Sequence, residues 1–224
     1  PDQTVWYGTS SSSLNQIATG TTYSVIASAG YENTVKLTGL TPSTKYFFQV
    51  GSKQTGISQT WSFVTAPATG KSVPFTVAMY GDMGVTESVN TVNHINDLVY
   101  SKKSVDWVYH VGDIGYGDDY SADLYDVMWN MWFEYLQPSM GSAQYMVCPG
   151  NHEYSCEHSD CNSFSQNFTF YNAKFKMPSV ESGSPSNSSM FFSFDYSNTH
   201  FVSISTETDY EGAPFPPVFG NQLQ

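Results

Sequence analysis

Apolar and polar positions alternate in short runs over the first third of the chain. Thr4-Val5-Trp6-Tyr7-Gly8, Tyr23-Ser24-Val25-Ile26, Tyr31 to Leu37, Lys45 to Val50 and Gln59 to Val64 are β-branched or aromatic, and Gly, Ser, Asn and Thr separate them. That rhythm predicts short strands joined by turns, an all-β region over residues 1–66. Residues 67–72 contain Pro67, Gly70 and small polar side chains and read as a linker. From Val73 the pattern changes. A strand at Phe75–Tyr80 precedes a helical stripe of Val89, Val92, His94, Ile95, Leu98 and Val99, with Thr86 and Glu87 at its start. A strand at Val105–Val111 follows. Asp123 to Tyr135 then predicts a second helix with Leu124, Val127, Met128, Met131, Trp132 and Tyr135 turned inward and Pro138 as its stop. The strand Gln144–Cys148 completes a β-α-β-α-β order, which predicts an α/β region with at least partly parallel strands covered by helices over residues 73–224. Beyond Glu153 the chain loosens into polar loop, apart from a β-hairpin predicted at Met190–Tyr196 and Thr199–Ser205; Gly220–Gln224 reads as the opening of a further helix.

The three buried strands share one feature. Each runs into glycine and an oxygen-bearing side chain: Gly81-Asp82-Met83-Gly84, Gly112-Asp113-Ile114-Gly115-Tyr116 and Pro149-Gly150-Asn151-His152-Glu153. Strand ends of α/β sheets are where ligands sit. Asp82, Asp113, Tyr116 and Asn151 are oxygen donors suited to hard cations, and Asp113, in the central loop, can offer its two oxygens to two metals. Two metals roughly 3.5–4 Å apart can hold a phosphoryl group and activate a water. Taken singly, Asp82 and Asp113 could be helix-capping aspartates and Asn151 a turn former. The coincidence of three such strand ends argues instead for one metal site built from three neighbouring loops.

Composition narrows the setting. The chain has 224 residues, 20 acids against 8 bases and a net charge of -12. That balance argues against binding nucleic-acid backbones, which need cations. No apolar run is long enough to cross a bilayer, so no membrane partner is expected. Cys156 and Cys161 stand close together in a polar loop and suit a disulfide in an oxidising compartment, whereas Cys148 in its apolar strand reads as an inert buried thiol. Asn167-Phe168-Thr169 and Asn187-Ser188-Ser189 are glycosylation sequons. These signs together favour a secreted, extracellular or vacuolar-type acidic setting. Homo-oligomerisation stays open at this stage.

Two resemblances follow from these residues. The turn Leu40-Thr41-Pro42 followed by Tyr46 resembles the tyrosine corner of fibronectin type III sandwiches, though residues 1–66 fall short of the usual ~100. The motifs Gly81-Asp82-Met83-Gly84, Gly112-Asp113-Ile114-Gly115-Tyr116 and Gly150-Asn151-His152-Glu153 resemble the first three metal-site motifs of the purple acid phosphatases, within the calcineurin-like metallophosphoesterases. The likeness covers about residues 73 to 224, and the preceding sandwich resembles the amino-terminal domain of the long plant and fungal forms. It implies an acid phosphatase hydrolysing phosphomonoesters at a binuclear Fe(III)-M(II) centre, with metal-bound hydroxide attacking in line. Asp82 and Tyr116 would bind Fe(III), Asp113 would bridge, and Asn151 would bind a divalent Zn, Fe or Mn ion. His152 would contact phosphate or protonate the leaving group, as catalytic residue.

The family also uses a Val-x-x-His and a Gly-His-x-His motif, and neither occurs here; the chain is therefore expected to be partial. The five histidines are His94, His110, His152, His158 and His200. His110 and His200 are expected to be buried and hydrogen-bonded, His94 and His158 to be ordinary helix and loop residues. Asp118, Asp119 and Asp123 read as charges at a helix start, with a loop lining the cleft as the alternative. Competing functions are a phosphodiesterase or nucleotide pyrophosphatase, against which Tyr116 argues, and a non-catalytic binding protein that lacks the histidine ligands.

Overall fold

The computed structural model describes residues 3–24, 30–154, 156, 159, 161 and 165–222. The strand expected through Ile26, the loop histidine His158 and the last two residues of the expected terminal helix fall outside these residues. Residues 220–222 are not helical.

Among the described residues seven short strands form the first part: β1 (Thr4–Gly8), β2 (Gln16–Thr19), β3 (Thr21–Tyr23), β4 (Glu32–Thr34), β5 (Lys45–Ser52), β6 (Gly56–Ile57) and β7 (Trp61–Val64). β5 is the spine, pairing antiparallel with β1, β6 and β7, while β2 adds to β1 and β3 pairs β4 separately. Val5, Tyr7 and Tyr46 form the small buried core, with Leu37, Leu40, Phe48 and Phe63 against it. The Tyr46 hydroxyl accepts a hydrogen bond from the Thr41 amide at 3.1 Å, closing the corner that the Leu-x-Pro turn opens. The strand expected over Tyr31–Leu37 shortens to β4, and β2 was hidden by its exposure, Ile17 pointing to solvent.

The second part holds β8 (Val77–Tyr80), α1 (Val89–Asn96), β9 (Trp107–Val111), α2 (Ala122–Met140), β10 (Gln144–Cys148), α3 (Thr169–Lys174), α4 (Ser179–Ser182), β11 (Phe192–Tyr196) and β12 (Thr199–Ser203). β10, β9 and β8 make a parallel sheet with β9 in the centre. The β11–β12 hairpin lays Phe194, Tyr196 and Phe201 on Trp107. A π turn at Asp97–Ser101 extends α1 and carries the buried Val99.

α2 corrects the sequence reading twice. It runs through Pro138, which sits in the last turn, where its missing N–H costs least helix beyond it. Its buried stripe is Tyr125, Met128, Trp129, Trp132, Leu136 and Ser139, whereas Leu124 and Val127, expected inward, are 44% and 42% exposed. The two tryptophans set the phase: Trp129 and Trp132 pack on Phe133, Phe170, Phe175 and Tyr145 in one aromatic layer under the sheet. The stripe expected in α1 holds for Val92 and Ile95, while Val89 and His94 are exposed.

The two parts touch along a seam. Trp61 meets Tyr100 edge-on at 6.1 Å, and the Tyr23 hydroxyl donates to the Ala173 carbonyl. Lys174, 7% exposed at its side chain, pairs with Glu32 and lies over the Phe133 and Phe170 rings. The linker is pinned as well, Gly70 and Val73 amides donating to Ser197 at 2.9 Å each.

Beneath the strand ends, the Tyr80 and Tyr145 hydroxyls share a hydrogen bond, and His110 Nδ1 lies 3.1 Å from the Tyr145 hydroxyl. His110 is fully buried, and burial lowers its pKa to about 3 against a weaker upward pull from the Asp113 main chain.

Two outcomes are expected. Leu136→Ala should cost about 2–5 kcal/mol in chemical denaturation, while Leu124→Ala should stay within about 0.5 kcal/mol; equal costs would refute the phase of α2. His110 stays neutral in the folded chain while the unfolded chain takes up that proton near 6.5, so this group makes stability fall as pH drops from 6.5 toward 3. Histidine NMR should show no His110 titration near neutral pH, and an ordinary imidazole titration there would contradict the burial.

Candidate metal centre

The parallel register brings three loops to one edge. Tyr80 lies opposite His110 and Cys148 opposite Val111, so the segments after β8, β9 and β10 leave the sheet side by side. The first two are laced by main chain: the amides of Asp82, Met83 and Gly84 donate to the carbonyls of Gly112, Asp113 and Ile114 at 3.3, 3.1 and 3.1 Å. The second and third are tied by Glu153. Its Oε2 accepts the amides of Asp113 and Gly150 at 2.9 and 2.8 Å, and its Oε1 accepts the amide of Ile114 at 2.8 Å. Burial pushes the Glu153 carboxyl up, to about 8, with the Ile114 and Gly150 amides pulling it down. Three N–H groups face this carboxyl, and its two oxygens accept all three.

Glycine is required where the loops approach. A Cβ on Gly112 would lie 2.9 Å from the Gly150 backbone, and one on Gly150 would overlap Asp113 Oδ1. Asn151, the next residue, opens a short helical turn and is exposed, and the His152 amide donates to the same Asp113 Oδ1 at 3.1 Å. Asp82, Asp113 and Tyr116 all hold left-handed backbone, with φ of 52°, 49° and 51°. Such conformations cost of order 1–3 kcal/mol each and persist where a site over-determines them. The Tyr116 hydroxyl donates to Asp82 Oδ1 at 3.3 Å. The Asp113 carboxyl is raised by burial, opposed by His152 and reinforced by Asp82; the Tyr116 phenol is raised by burial and by both aspartates.

An open cleft of about 550 Å³ borders Asp82 and Tyr116, and Glu87 and Asp119 also line it. No lysine lines it, and every base in the chain is lysine. Carboxylates and a phenol crowded together without a fixed cation suit a bound metal, so the donor set fits the group the sequence implies. A second cavity of about 550 Å³ opens among Val5, Val35, Phe48 and Phe63 but carries no titratable side chain.

His152 belongs to a pair that the sequence reading missed. Its Nδ1 lies 2.7 Å from Oδ2 of the buried Asp118, and its ring lies tilted against Tyr116, with centroids 4.2 Å apart and planes at 37°. Burial lowers the His152 pKa, but Asp118, with Asp113 and Asp119, outweighs it and the net shift is upward. Asp118 is raised to about 6 by burial, against the pull of His152. His152 therefore holds the shared proton and Asp118 accepts it. Asp118, Asp119 and His152 bring ligand atoms within 4.8 Å of one another, and the short Nδ1–Oδ2 contact already engages the Nδ1 of that imidazole. Of the three acids expected as helix-start charges or as a cleft-lining loop, Asp118 and Asp119 fall in a short helical turn at Gly117–Asp119, Asp119 also lines the cleft, and Asp123 lies in the first turn of α2. The spacing of Asp118 two residues after Tyr116 was the available signal.

The remaining sites separate cleanly. His200 is exposed and pairs with Asp195 at 2.7 Å, against the expectation of burial, because β12 turns that side to solvent. Cys148 is a free buried thiol whose pKa burial raises, and Cys156 and Cys161 are joined. Asn167 and Asn187 are both exposed. Among the described residues no helix is long and apolar enough to cross a membrane.

A sheet that ends in three acid- and glycine-bearing loops is what the resemblance to the metallophosphoesterases leads one to expect, and comparison with known proteins agrees. Residues 75–213 match the sequence profile described as calcineurin-like phosphoesterase, and the chain belongs to that family. Residues 1–65 match the profile described as purple acid phosphatase, N-terminal domain, which puts it on the purple acid phosphatase branch. It is 31% identical over 271 residues to Acid phosphatase A of Cryphonectria parasitica, covering 95% of this chain and 53% of that one. It is 32% identical over 212 residues to Probable purple acid phosphatase 20 of Arabidopsis thaliana, covering 92% and 45%. The chain thus spans about half the length of the curated relatives it matches. The fold is similar to that of purple acid phosphatase PPD1 from yellow lupin (Lupinus luteus) seeds, with a TM-score of 0.66, 21% identity, and 87% and 38% of the two chains covered. Family membership carries with it the expectation of a binuclear metal centre.

Glu153→Gln should destabilise the fold by at least the roughly 1–3 kcal/mol of an unsatisfied buried donor, because the amide sets an NH₂ against main-chain N–H groups. Hydrogen exchange should show lost protection at the Asp113, Ile114 and Gly150 amides. Unchanged protection at all three would refute the tie.

Proposed function

We propose that this chain supplies Asp82, Asp113, Tyr116 and Asn151 to a binuclear centre that hydrolyses phosphomonoesters at acid pH. In this reading residues 1–66 form an accessory fibronectin type III-like sandwich, 67–72 the linker and 73–224 part of the catalytic domain. The observation that carries the proposal is the Tyr116 phenol set on Asp82 at a lysine-free cleft, with the Asp113 carboxyl close enough to raise the pKa of that phenol. An anionic ester could not enter such a cleft unless cations offset its charge. Asp82 and Tyr116 are assigned to Fe(III), Asp113 to both metals, and Asn151 to a divalent Zn, Fe or Mn ion. When bound, the pair supplies positive charge for the phosphoryl oxygens and an acidified water.

The chain's own residues do the rest. Asp113 is held in place by Gly150 behind it and by the His152 amide. His152 sits at the edge of the cluster with its Nδ1 fixed by Asp118, so Nε2 is the free end of the imidazole. That nitrogen is placed to hold a proton for the departing alkoxide, and Asp118 keeps the imidazole charged until it is given up. The disulfide at Cys156 and Cys161 supports secretion or a vacuolar-type compartment.

Metal loading and assay of the protein test the reading. Fe(III)-loaded protein should absorb visible light through its phenolate, and Tyr116→Phe should abolish the band while leaving the fold intact. Asp113→Asn should lower phosphomonoesterase kcat/KM by about 100-fold or more, the scale of a lost transition-state electrostatic contact. His152→Ala should lose roughly 10²–10⁴-fold on esters with poor leaving groups and much less on activated ones. Full activity from colourless protein with zinc alone would overturn the iron assignment; loss of no activity in Asp113→Asn would overturn the whole proposal.

A further inference from the structure

A groove of about 880 Å³ runs along the seam between the first seven strands and the α/β part. That volume lies within the roughly 300–1,000 Å³ of clefts that bury small ligands. Its walls are largely apolar: Val35 from one side, and Met146, Met177, Val180 and Phe194 from the other. Val180 is 70% exposed, so the groove leaves apolar surface uncovered. Lys36 and Glu181 form an ion pair within the same lining. One further residue on its rim is Asn187, the acceptor of the sequon Asn187-Ser188-Ser189.

The loop that carries Asn187 is rigid. Ser186 Oγ donates to the Ser188 carbonyl at 3.0 Å and to the Phe191 carbonyl at 3.2 Å. The Ser189 amide donates to Asn172 Oδ1 at 2.9 Å, and Ser189 Oγ donates to the Phe175 carbonyl at 2.7 Å. Asn187 itself is exposed in left-handed backbone, φ 47°, at the tip of this braced turn. A group attached there starts from a fixed point at the lip of the groove. Asn167 is also exposed, at φ 54°, but does not line this groove.

We infer that Asn187 carries an N-linked glycan whose first sugars lie in the seam groove, making the glycan part of the junction between the sandwich and the α/β part. In the attachment step the Asn187 amide nitrogen bonds to C1 of the first N-acetylglucosamine of a lipid-linked oligosaccharide diphosphate. The C1–O bond to the diphosphate breaks, the lipid diphosphate leaves with the electron pair, and the amide gives up one proton. Attachment precedes folding, so the later burial of Ser189 does not hinder it. The apolar faces of the sugar rings then cover Val180 and Met177, while their hydroxyls and acetamido groups face Lys176, Gln144 and Asp195, which also line the groove. The inference rests on passage through an oxidising secretory route and is independent of the metal centre.

The test uses the whole chain secreted from a glycosylating eukaryotic host. Native protein is treated with peptide N-glycosidase, and release from Asn187 and Asn167 is followed by peptide mass spectrometry. Release from Asn187 should be at least tenfold slower than from Asn167 in native protein, and the two should match after denaturation. Val180→Asp, on the exposed wall of the groove, should bring the native Asn187 rate up to that of Asn167 without lowering occupancy. Equal native rates, an unoccupied Asn187, or a Val180→Asp rate unchanged from the parent would each overturn the inference. Phosphatase activity should be the same throughout, so failure here leaves the metal centre untouched.

Discussion

The Glu153 carboxylate holding three main-chain N–H groups is the contact on which the rest depends. A parallel sheet brings three strand ends to one edge, but strand ends alone do not fix loops relative to one another. Glu153 does so from the third loop by capturing Gly150 in its own segment and Asp113 and Ile114 in the second. The first loop needs no side chain, because its three amides run along the carbonyls of the second. Each buried donor is thereby satisfied, and an unsatisfied one would cost about 1–3 kcal/mol. The positive φ of Asp82, Asp113 and Tyr116 is the strain this network holds in place.

Charge placement follows from the same arrangement. The chain's eight bases are lysines, and Lys36, Lys45, Lys103, Lys174 and Lys176 all lie along the seam between the two parts. None lines the acidic cleft. A protein that bound phosphate through its own side chains would place arginine or lysine at the site. Here the oxygens gather without them, and among the described residues His152 brings a cationic group near Asp113. The negative potential that results attracts cations first and an anionic ester only afterwards.

Much of this was legible in the residues. The three Gly-acid or Gly-amide strand ends could be read directly, because a buried apolar run followed by glycine has few other meanings. The tyrosine corner was legible for the same reason: a fixed turn and a fixed aromatic leave little freedom. The phase of α2 was not, since Leu124 and Val127 satisfy one helical stripe while Trp129 and Trp132 satisfy another, and only the aromatic layer of Phe133, Phe170 and Phe175 chooses. Phe170 and Phe175 arrive some forty residues later in sequence, beyond any local pattern. Asp118 was illegible for a related reason: its partner, His152, stands 34 residues away and on another loop.

The tight coupling of the loops also bears on how the site would respond to occupancy. Asp113 Oδ1 meets both Gly150 and the His152 amide, while Tyr116 touches Asp82, Gly84 and the His152 ring. A cation drawn between Asp82 and Asp113 would pull on one carboxyl held by the His152 amide and on another held by the Tyr116 hydroxyl. The backbone can move little without breaking the Glu153 tie, so the side chains must do the adjusting. Tyr116 is held to Asp82 by one 3.3 Å hydrogen bond and lies against Gly84 and the tilted His152 ring. His152 would follow through that ring contact while Asp118 keeps its Nδ1 fixed. Binding at the aspartates and the orientation of the proton donor are therefore linked through one aromatic contact, with no hinge or domain movement required.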